Sequence, residues 1–525
     1  MLFCSCDVLN KAPLDEIADD SFWSDETLVK YYVNDLYSEI SVDGLQLQEN
    51  RSDNSVSAQR DKYRASWFKF NYDMVSASDP QDDDVWEDYY VKIRKCNRFF
   101  ERIGTSTIEE SEKSRLTGEV HFLRAMFYFE MVKRYGGVIL LDKVLTMEDN
   151  WEIPRSSEKE CYDFILEDLK KATEMLPASY GSREKGRATK GAAYALKSRV
   201  ELYDKRYEDV IKSCAEVYKL GYELVDGTPE KYRSIWWTTN KDNKEIIFDV
   251  QYKSPDVYNN MMVCNMVTYI NDKYGDRGWG GLGPTQELID AFEMADGTPA
   301  TQYSQAPADQ VFDINTCGIY EGREPRFYAN IVFHGSQIFF NADKGAVTVD
   351  RYLMDTPDKG DGSLTGYNVW KWIDYDNYNY PYAGAGSPDF STNWIILRYA
   401  EIYLNDAEAR LETGDVEGAR KAVNMIRQRV GLPDLTESDP EKLRELIRKE
   451  RRIEFAFEEQ RFYDVRRWKI GPETQTTLHG VRFVSPTEFK VTKTDIRTWN
   501  DRLYLTPVPH DEIVRSSVLK QNPGY

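Results

Sequence analysis

Two stretches about two hundred residues apart read alike. "ALKSRVELYDKRYEDVIKSCAEVYKLG" (195–221) and "LNDAEARLETGDVEGARKAVNMIRQRVG" (404–431) each run helix, tight polar turn, helix, with small or apolar residues at the crossing positions. Tyr207 and Val210 of the first match Val416 and Ala419 of the second. A helical hairpin of this size cannot bury its apolar face alone and must stack on neighbours, as tetratricopeptide-like units do. The distance between the two in sequence rules out a regular solenoid.

Helical periodicity continues along most of the chain. "SDETLVKYYVNDLYSEI" (24–40) spaces Leu28, Tyr32, Leu36 and Ile40 four apart, with Ser24 as the expected N-cap and Asp25 and Glu26 in the first turn. "SRLTGEVHFLRAMFYFEMVKRYGG" (114–137) carries Leu116, Val120, Leu123, Phe127 and Met131 on one face and stops at Gly136-Gly137. Further helices are predicted near 84–102, 158–176, 189–203, 207–220, 285–294, 396–412, 416–430, 441–458 and 460–468. Residues 41–80, 226–284, 297–393 and 470–510 are instead rich in Asn, Asp, Gly, Pro and Tyr, with strand-like runs such as "EIIFDVQY" and "RFYANIVF". Long loops in a compact protein are usually functional, so the helices read as scaffold and the loops as working surface.

Charge narrows the possible partners. With 68 basic against 89 acidic residues the formal net charge is −21, the wrong sign for a phosphate-reading surface, so nucleic acid is not expected. No apolar run approaches the roughly 18–20 residues of a spanning helix. The four histidines (His121, His334, His479, His510) fall at no metal-ligand spacing, and no nucleophile elbow, phosphate-binding loop or dinucleotide fingerprint is present. No metal, cofactor or catalytic residue is expected. The seven cysteines fit neither a disulfide framework nor a zinc site, and Cys96, Cys161 and Cys214 fall in helical patterns as buried, inert thiols. In "LIRKERRIEFAFEEQRFYDVRRW" (446–468), Glu450, Glu454, Glu458 and Arg461 recur at helical spacing beside aromatic residues. Arg–carboxylate pairing along packed helices is the structural expectation there.

"ERRIEFAFEEQRFYDVRRW" closely resembles the signature of the SusD/RagB family, the surface glycan-binding lipoproteins of Bacteroidetes. Further segments agree in the family's order: "CDVLNKAPLDEIADDSFW", "FLRAMFYFEMVKRYGGVILL", "GPTQELIDAFEMADG", "LRYAEIYLNDAEA", and the terminal "LYLTPVPHDEI" and "QNPGY". The resemblance spans Cys6 to Tyr525. It departs at His121, where a small residue is usual, and in lacking a full signal peptide.

The resemblance implies a mostly α, single-globule fold of about four tetratricopeptide-like helix pairs, with a loop-rich half bearing short β hairpins. Residues 1–20 would be a signal remnant and tether, 21–230 a SusD-like N-terminal region and 231–525 a RagB/SusD C-terminal region, interleaved in one globule. It further implies a non-catalytic protein, anchored by lipid to the outer membrane and facing the exterior. Such a protein captures oligo- or polysaccharide for a TonB-dependent SusC-type transporter. A secreted glycoside hydrolase and a scaffold that binds protein or peptide are the alternatives. "MLFCS" is too short for a signal peptide, and Cys6 follows the small Ser5 whereas Cys4 follows bulky Phe3, so Cys6 is the expected lipidated thiol.

Sugars present hydroxyls and C–H faces, so their sites combine aromatic platforms with polar loop residues. Two loops qualify, 60–73 and 269–285, with 367–388 a third. Trp67 and Trp279 are the expected platforms, assisted by Tyr72 and Tyr274, with Arg60, Asn71 and Arg277 as hydrogen-bonders. Trp86, Trp151 and Trp468 lie in or beside helical patterns and are read as structural.

Overall fold

The computed structural model describes residues 19–40, 47–57, 65–80, 83–253, 256–257, 259, 261–267, 279–339, 346–354, 363–374 and 391–525. Its long helices are α1 (Glu26–Ser38), α2 (Trp86–Ile103), α3 (Glu110–Tyr135), α4 (Glu158–Met175), α5 (Lys190–Tyr203), α6 (Tyr207–Val217), α7 (Tyr399–Glu412), α8 (Val416–Arg429), α9 (Pro440–Glu454) and α10 (Gln460–Trp468). Local sequence sets most of their ends. Ser157 and Glu160 form a reciprocal capping box on α4, and Asp439 caps α9 ahead of Pro440. Gly136 ends α3 at a positive φ of 70°, as the double glycine predicts.

Each helix from α2 to α8 packs on the next in one continuous stack, with α9 closing it against α7 and α8. The two look-alike hairpins, α5–α6 and α7–α8, are direct neighbours, because α6 packs on α7. Each thus provides the neighbour the other requires. The 180-odd residues between them leave the stack after α6 and return at α7. Antiparallel pairing of Ile246–Val250 with Trp394–Arg398 zips the outgoing and returning chain together.

That excursion forms the loop-rich half together with later segments around Phe457 and Thr477–Ile496. It owns a separate apolar core built around Trp236, Phe292, Phe327, Tyr367, Trp372 and Phe457, while the helix stack has its own around Phe99, Phe122, Tyr128 and Leu196. The strands are short. Thr477–Phe483 and Glu488–Ile496 form a hairpin that Val311–Asp313 extends, and Gln337–Phe339 pairs with Ala346–Thr348. The remaining described pairs join segments distant in sequence rather than hairpins.

Two local expectations need correction. Asp25, not Ser24, caps α1, accepting from the Thr27 and Leu28 N–H groups, because Ser24 ends a preceding short helix (Asp19–Ser24). The buried face of α1 is accordingly Val29, Val33 and Leu36. "RFYANIVF" is not a strand throughout: Pro325–Asn330 is helical, with Pro325 at a position that suits it, and only Ile331–Val332 is extended. The helix carries Arg326 into the interior, where it is bound by three carboxylates.

The seam between the halves is ionic. Glu454, at the end of α9, takes Arg326 (3.0 Å), Arg398 (2.6 Å) and Arg429 (2.5 Å). Arg398 also reaches Glu245 and Glu458, Arg427 bridges Glu293 and Glu450, and Lys371 binds Glu458. Glu450, Glu454, Glu458 and Arg461 are therefore structural, all held in buried or nearly buried pairs. Burial alone would push the Glu454 carboxyl up. Arg429, Arg398 and Arg326 more than offset this and hold it well below the usual carboxylate range.

Glu454→Gln keeps the shape and removes the charge, leaving three guanidiniums short of a partner. At neutral pH it should cost about 3–5 kcal/mol of unfolding free energy. Because the folded-state carboxyl ionises below the unfolded one, wild type has this stability in full above about pH 6. It loses it progressively as pH falls from about 4, where the unfolded carboxyl titrates, down through the lower value of the folded one. Denaturant titrations across that range should show the deficit of the variant shrinking in acid. A deficit independent of pH would mean that the ionised carboxylate is not what stabilises the seam.

Candidate functional site

The three aromatic loops are widely separated in sequence, yet their roots meet on the loop-rich half. Ser55–Val56 pairs antiparallel with Gly283–Pro284, and Gly283–Pro284 lies beside Asn368–Val369. Asn50 Nδ2 donates to the Gly281 carbonyl (3.0 Å), the Thr285 N–H to the Asn54 carbonyl (3.0 Å) and Thr285 Oγ1 to the Asp53 carbonyl (2.7 Å). Tyr367 donates its hydroxyl to Gln286 Oε1 (2.7 Å), tying the third loop to the helix that follows the second.

Glycine permits the close approach. A Cβ on Gly283 would stand 2.6 Å from the Val56 carbonyl oxygen, and one on Gly281 2.7 Å from that of Cys264. In the fold these glycines serve backbone-on-backbone packing.

Charged residues beneath hold the roots in place. Arg497, itself paired with Asp495, collects the carbonyls of Asn50 (2.9 Å), Ser55 (2.8 Å) and Ser52. Asp53 receives Arg461 (2.8 Å) and Arg452 (3.1 Å). Burial raises its carboxyl, but Arg452 and Arg461 outweigh that and leave it below the ordinary range. Glu49 accepts from the Phe457 N–H (3.0 Å) and the Glu459 N–H (3.2 Å), two residues with φ of 67° and 60°. Non-glycine residues in that region are strained, and the Glu49 carboxylate offsets the strain at the turn into α10. Burial raises the Glu49 carboxyl.

Of the expected ligand contacts, Arg60, Tyr274 and Arg277 lie outside the described residues, as do the side chain of Trp67 and the lipidation candidate Cys6. Asn71 is corrected: it is 2% exposed and its amide donates to the Asn50 carbonyl (3.1 Å), so it positions the first loop and cannot meet a ligand at the surface. Tyr72 is half-buried and donates to Asp495 (2.8 Å). Trp279 is half-buried at the rim of the loop-half core, so it is no free loop tip. Sequence reasoning missed Glu49, Asp53, Arg452 and Arg497: the first two stood only in a polar run, "QENRSDNS", inside a loop, Arg452 stood in the charged segment 446–468 without a partner assigned, and Arg497 carried no signal.

Among the structural tryptophans, Trp86 is buried and Trp468 donates to Glu408 (3.0 Å). Trp151 differs. It is 58% exposed, its Nε1–H fixed to the Thr146 carbonyl (3.0 Å), because its segment has left the helix stack. It borders a cleft of about 490 Å³ against α2. A second cavity, about 440 Å³, lies at the seam beside Tyr89, Lys133, Trp394 and Tyr463. Among the described residues no cluster of His, Cys, Asp and Glu is placed to hold a metal, and no helix is long and apolar enough to cross a membrane.

A family model described as "SusD family" matches residues 244–525, and one described as "Starch-binding associating with outer membrane" matches residues 8–202. A crystal structure of a SusD-like protein from Bacteroides fragilis NCTC 9343 is 99% identical, covers 98% of this chain and 100% of that one, and superposes with a TM-score of 0.94. A SusD-like carbohydrate binding protein from the same strain is 26% identical, covering 95% of this chain and 100% of its own, with a TM-score of 0.80. A SusD-like protein of Formosa agariphila is 24% identical over 99% of this chain and 97% of its own length.

Gly283→Ala tests the junction of the roots. It should destabilise the fold by about 1–3 kcal/mol through overpacking. Amide exchange should accelerate at Val56 and Gly281 before the helix stack is affected. Unchanged exchange there would show that the close contact is not needed.

Proposed function

Because the chain belongs to the SusD family, we propose that it is a non-catalytic carbohydrate-binding lipoprotein of the outer-membrane surface. It captures oligo- or polysaccharide on the three-loop face and passes it to a TonB-dependent SusC-type transporter. Cys6 carries the lipid anchor, and the helix stack is the rigid platform on the transporter side.

The observation that carries this reading is the convergence of the three loop roots on one charge-braced base. A sugar site needs aromatic platforms and polar groups held at fixed spacing, because ligand binding then costs little ordering of the protein. The relative from Bacteroides fragilis described as carbohydrate binding, and the outer-membrane description of the N-terminal match, support the class of ligand and the location. Trp279, with Trp67, Tyr72 and Tyr274, remains the proposed aromatic set, and Arg60 and Arg277 the proposed polar one.

A glycan panel screened by calorimetry should identify a binder, and Trp279→Ala should weaken it by about 1–3 kcal/mol, the cost of removing an aromatic anchor. As the ring is half-buried, some fall in Tm is expected too. A large fall in Tm with affinity retained by the folded fraction would place the site elsewhere. Release of shortened glycan during the same incubations would favour a hydrolase. Metabolic labelling with a clickable fatty acid should mark the full-length precursor and be lost in Cys6→Ala.

A further inference from the structure

The cavity of about 440 Å³ at the seam is walled by both halves. Tyr89 of α2, Phe129 of α3 and Tyr203 of α5 come from the helix stack, and Trp394 from the returning strand. Packing fixes these rings. Trp394 stacks on Trp372 (4.6 Å between centroids, 13° between planes), and Phe129 meets Tyr203 edge-on (5.0 Å). The volume falls in the range of small-molecule sites, roughly 300–1,000 Å³.

Most charge in the wall is already paired. Glu130 takes Lys133 (2.6 Å) and Arg134 (2.6 Å), Arg199 takes Glu401 (2.6 Å), and Glu458 takes Lys371 (2.6 Å). What the wall still offers is hydrogen bonding. Arg199 donates Nε to Glu401 and Nη2 to the Ile396 carbonyl (2.6 Å), which leaves Nη1. Gln460 Oε1 accepts from Arg451 (2.7 Å), which leaves its amide nitrogen. The Trp394 Nε1–H and the Tyr203 hydroxyl have no partner among the described residues. None of these groups is shielded by protein. Glu130 and Lys133 likewise keep 22% and 11% of their side-chain surface accessible although protein surrounds them, so it is the cavity that they face.

Ring faces set between unspent donors, with the Glu130 carboxylate and the Tyr203 oxygen as acceptors, suit a particular chemistry. An apolar ligand would leave the donors unsatisfied, and a simple ion would gain nothing from the rings. Water satisfies donors but not ring faces, so a molecule that stacks and carries its own hydroxyls displaces it at a gain.

We propose that the seam cavity binds a free neutral mono- or disaccharide, as a second site apart from the three-loop face. The choice of carbohydrate among polyhydroxylated rings rests on the carbohydrate-binding reading above. The bound sugar joins α3 and α5 to the returning strand and to the turn into α10, so its occupancy stiffens the seam.

Glucose, galactose, mannose, N-acetylglucosamine, maltose, cellobiose and lactose should be screened on the whole protein by saturation-transfer NMR, and soaked into its crystals. At least one should bind in solution and show density between Trp394 and Tyr203. Tyr203→Phe, which removes only the hydroxyl, should weaken that sugar about three- to tenfold. Ile396→Trp, which fills the space, should abolish its binding and leave polysaccharide capture unchanged. Soaked crystals with only solvent in the cavity, or a small sugar whose binding survives Ile396→Trp, overturn the seam site while leaving the loop-face reading intact. Failure of the loop-face reading looks different: no polysaccharide binds, yet the small sugar still occupies the seam. The wild-type crystals decide the matter even if Ile396→Trp fails to fold.

Discussion

Glu454 is the interaction on which the rest of the structure depends. It sits where the helix stack ends, and its three arginines come from three directions: Arg326 from the loop-rich half, Arg398 from the returning chain, Arg429 from α8. The apolar cores of the helix stack and the loop-rich half, which share Ile396 at their margin, are thereby fastened by buried carboxylates with Glu454 at their centre. Hydrophobic contact has no preferred direction and would allow the halves to slide. Charge-assisted arginine contacts, bidentate between Arg398 and Glu458, fix distance and angle, so they set how the loop face sits on the scaffold.

The same device recurs toward the surface. Glu454 orders the seam, Glu49 and Asp53 hold the turn into α10 and the start of the first loop, and Arg497 gathers the backbone carbonyls of that loop. Each step carries rigidity from the helices to a position where an aromatic ring can be presented to a ligand.

Helical periodicity made the scaffold legible. Helix extents were readable to within a few residues, Gly136 was identified as a terminator, and Cys96, Cys161 and Cys214 are buried as read. Loop residues were legible only as composition. Asn71 and Trp151 exchanged their expected settings, the first buried and the second exposed, because neither belongs to a periodic segment that would assign it a face. The strand-like run 326–333 failed for a related reason. β-propensity of a short segment yields to a proline at a helix start and to a buried ion pair.

The sequence by itself determined the mostly helical class, the hairpins and the need for them to stack, and the family, because capping, periodicity and motif order are local properties. Only the tertiary structure decided which hairpin meets which, which arginine each carboxylate takes, and that three distant loops share one root. Those outcomes are contacts between residues far apart in sequence. Pairing Asp53 with Arg461, or Glu245 with Arg398, follows from where the folded chain has brought the backbone, and no local pattern encodes it.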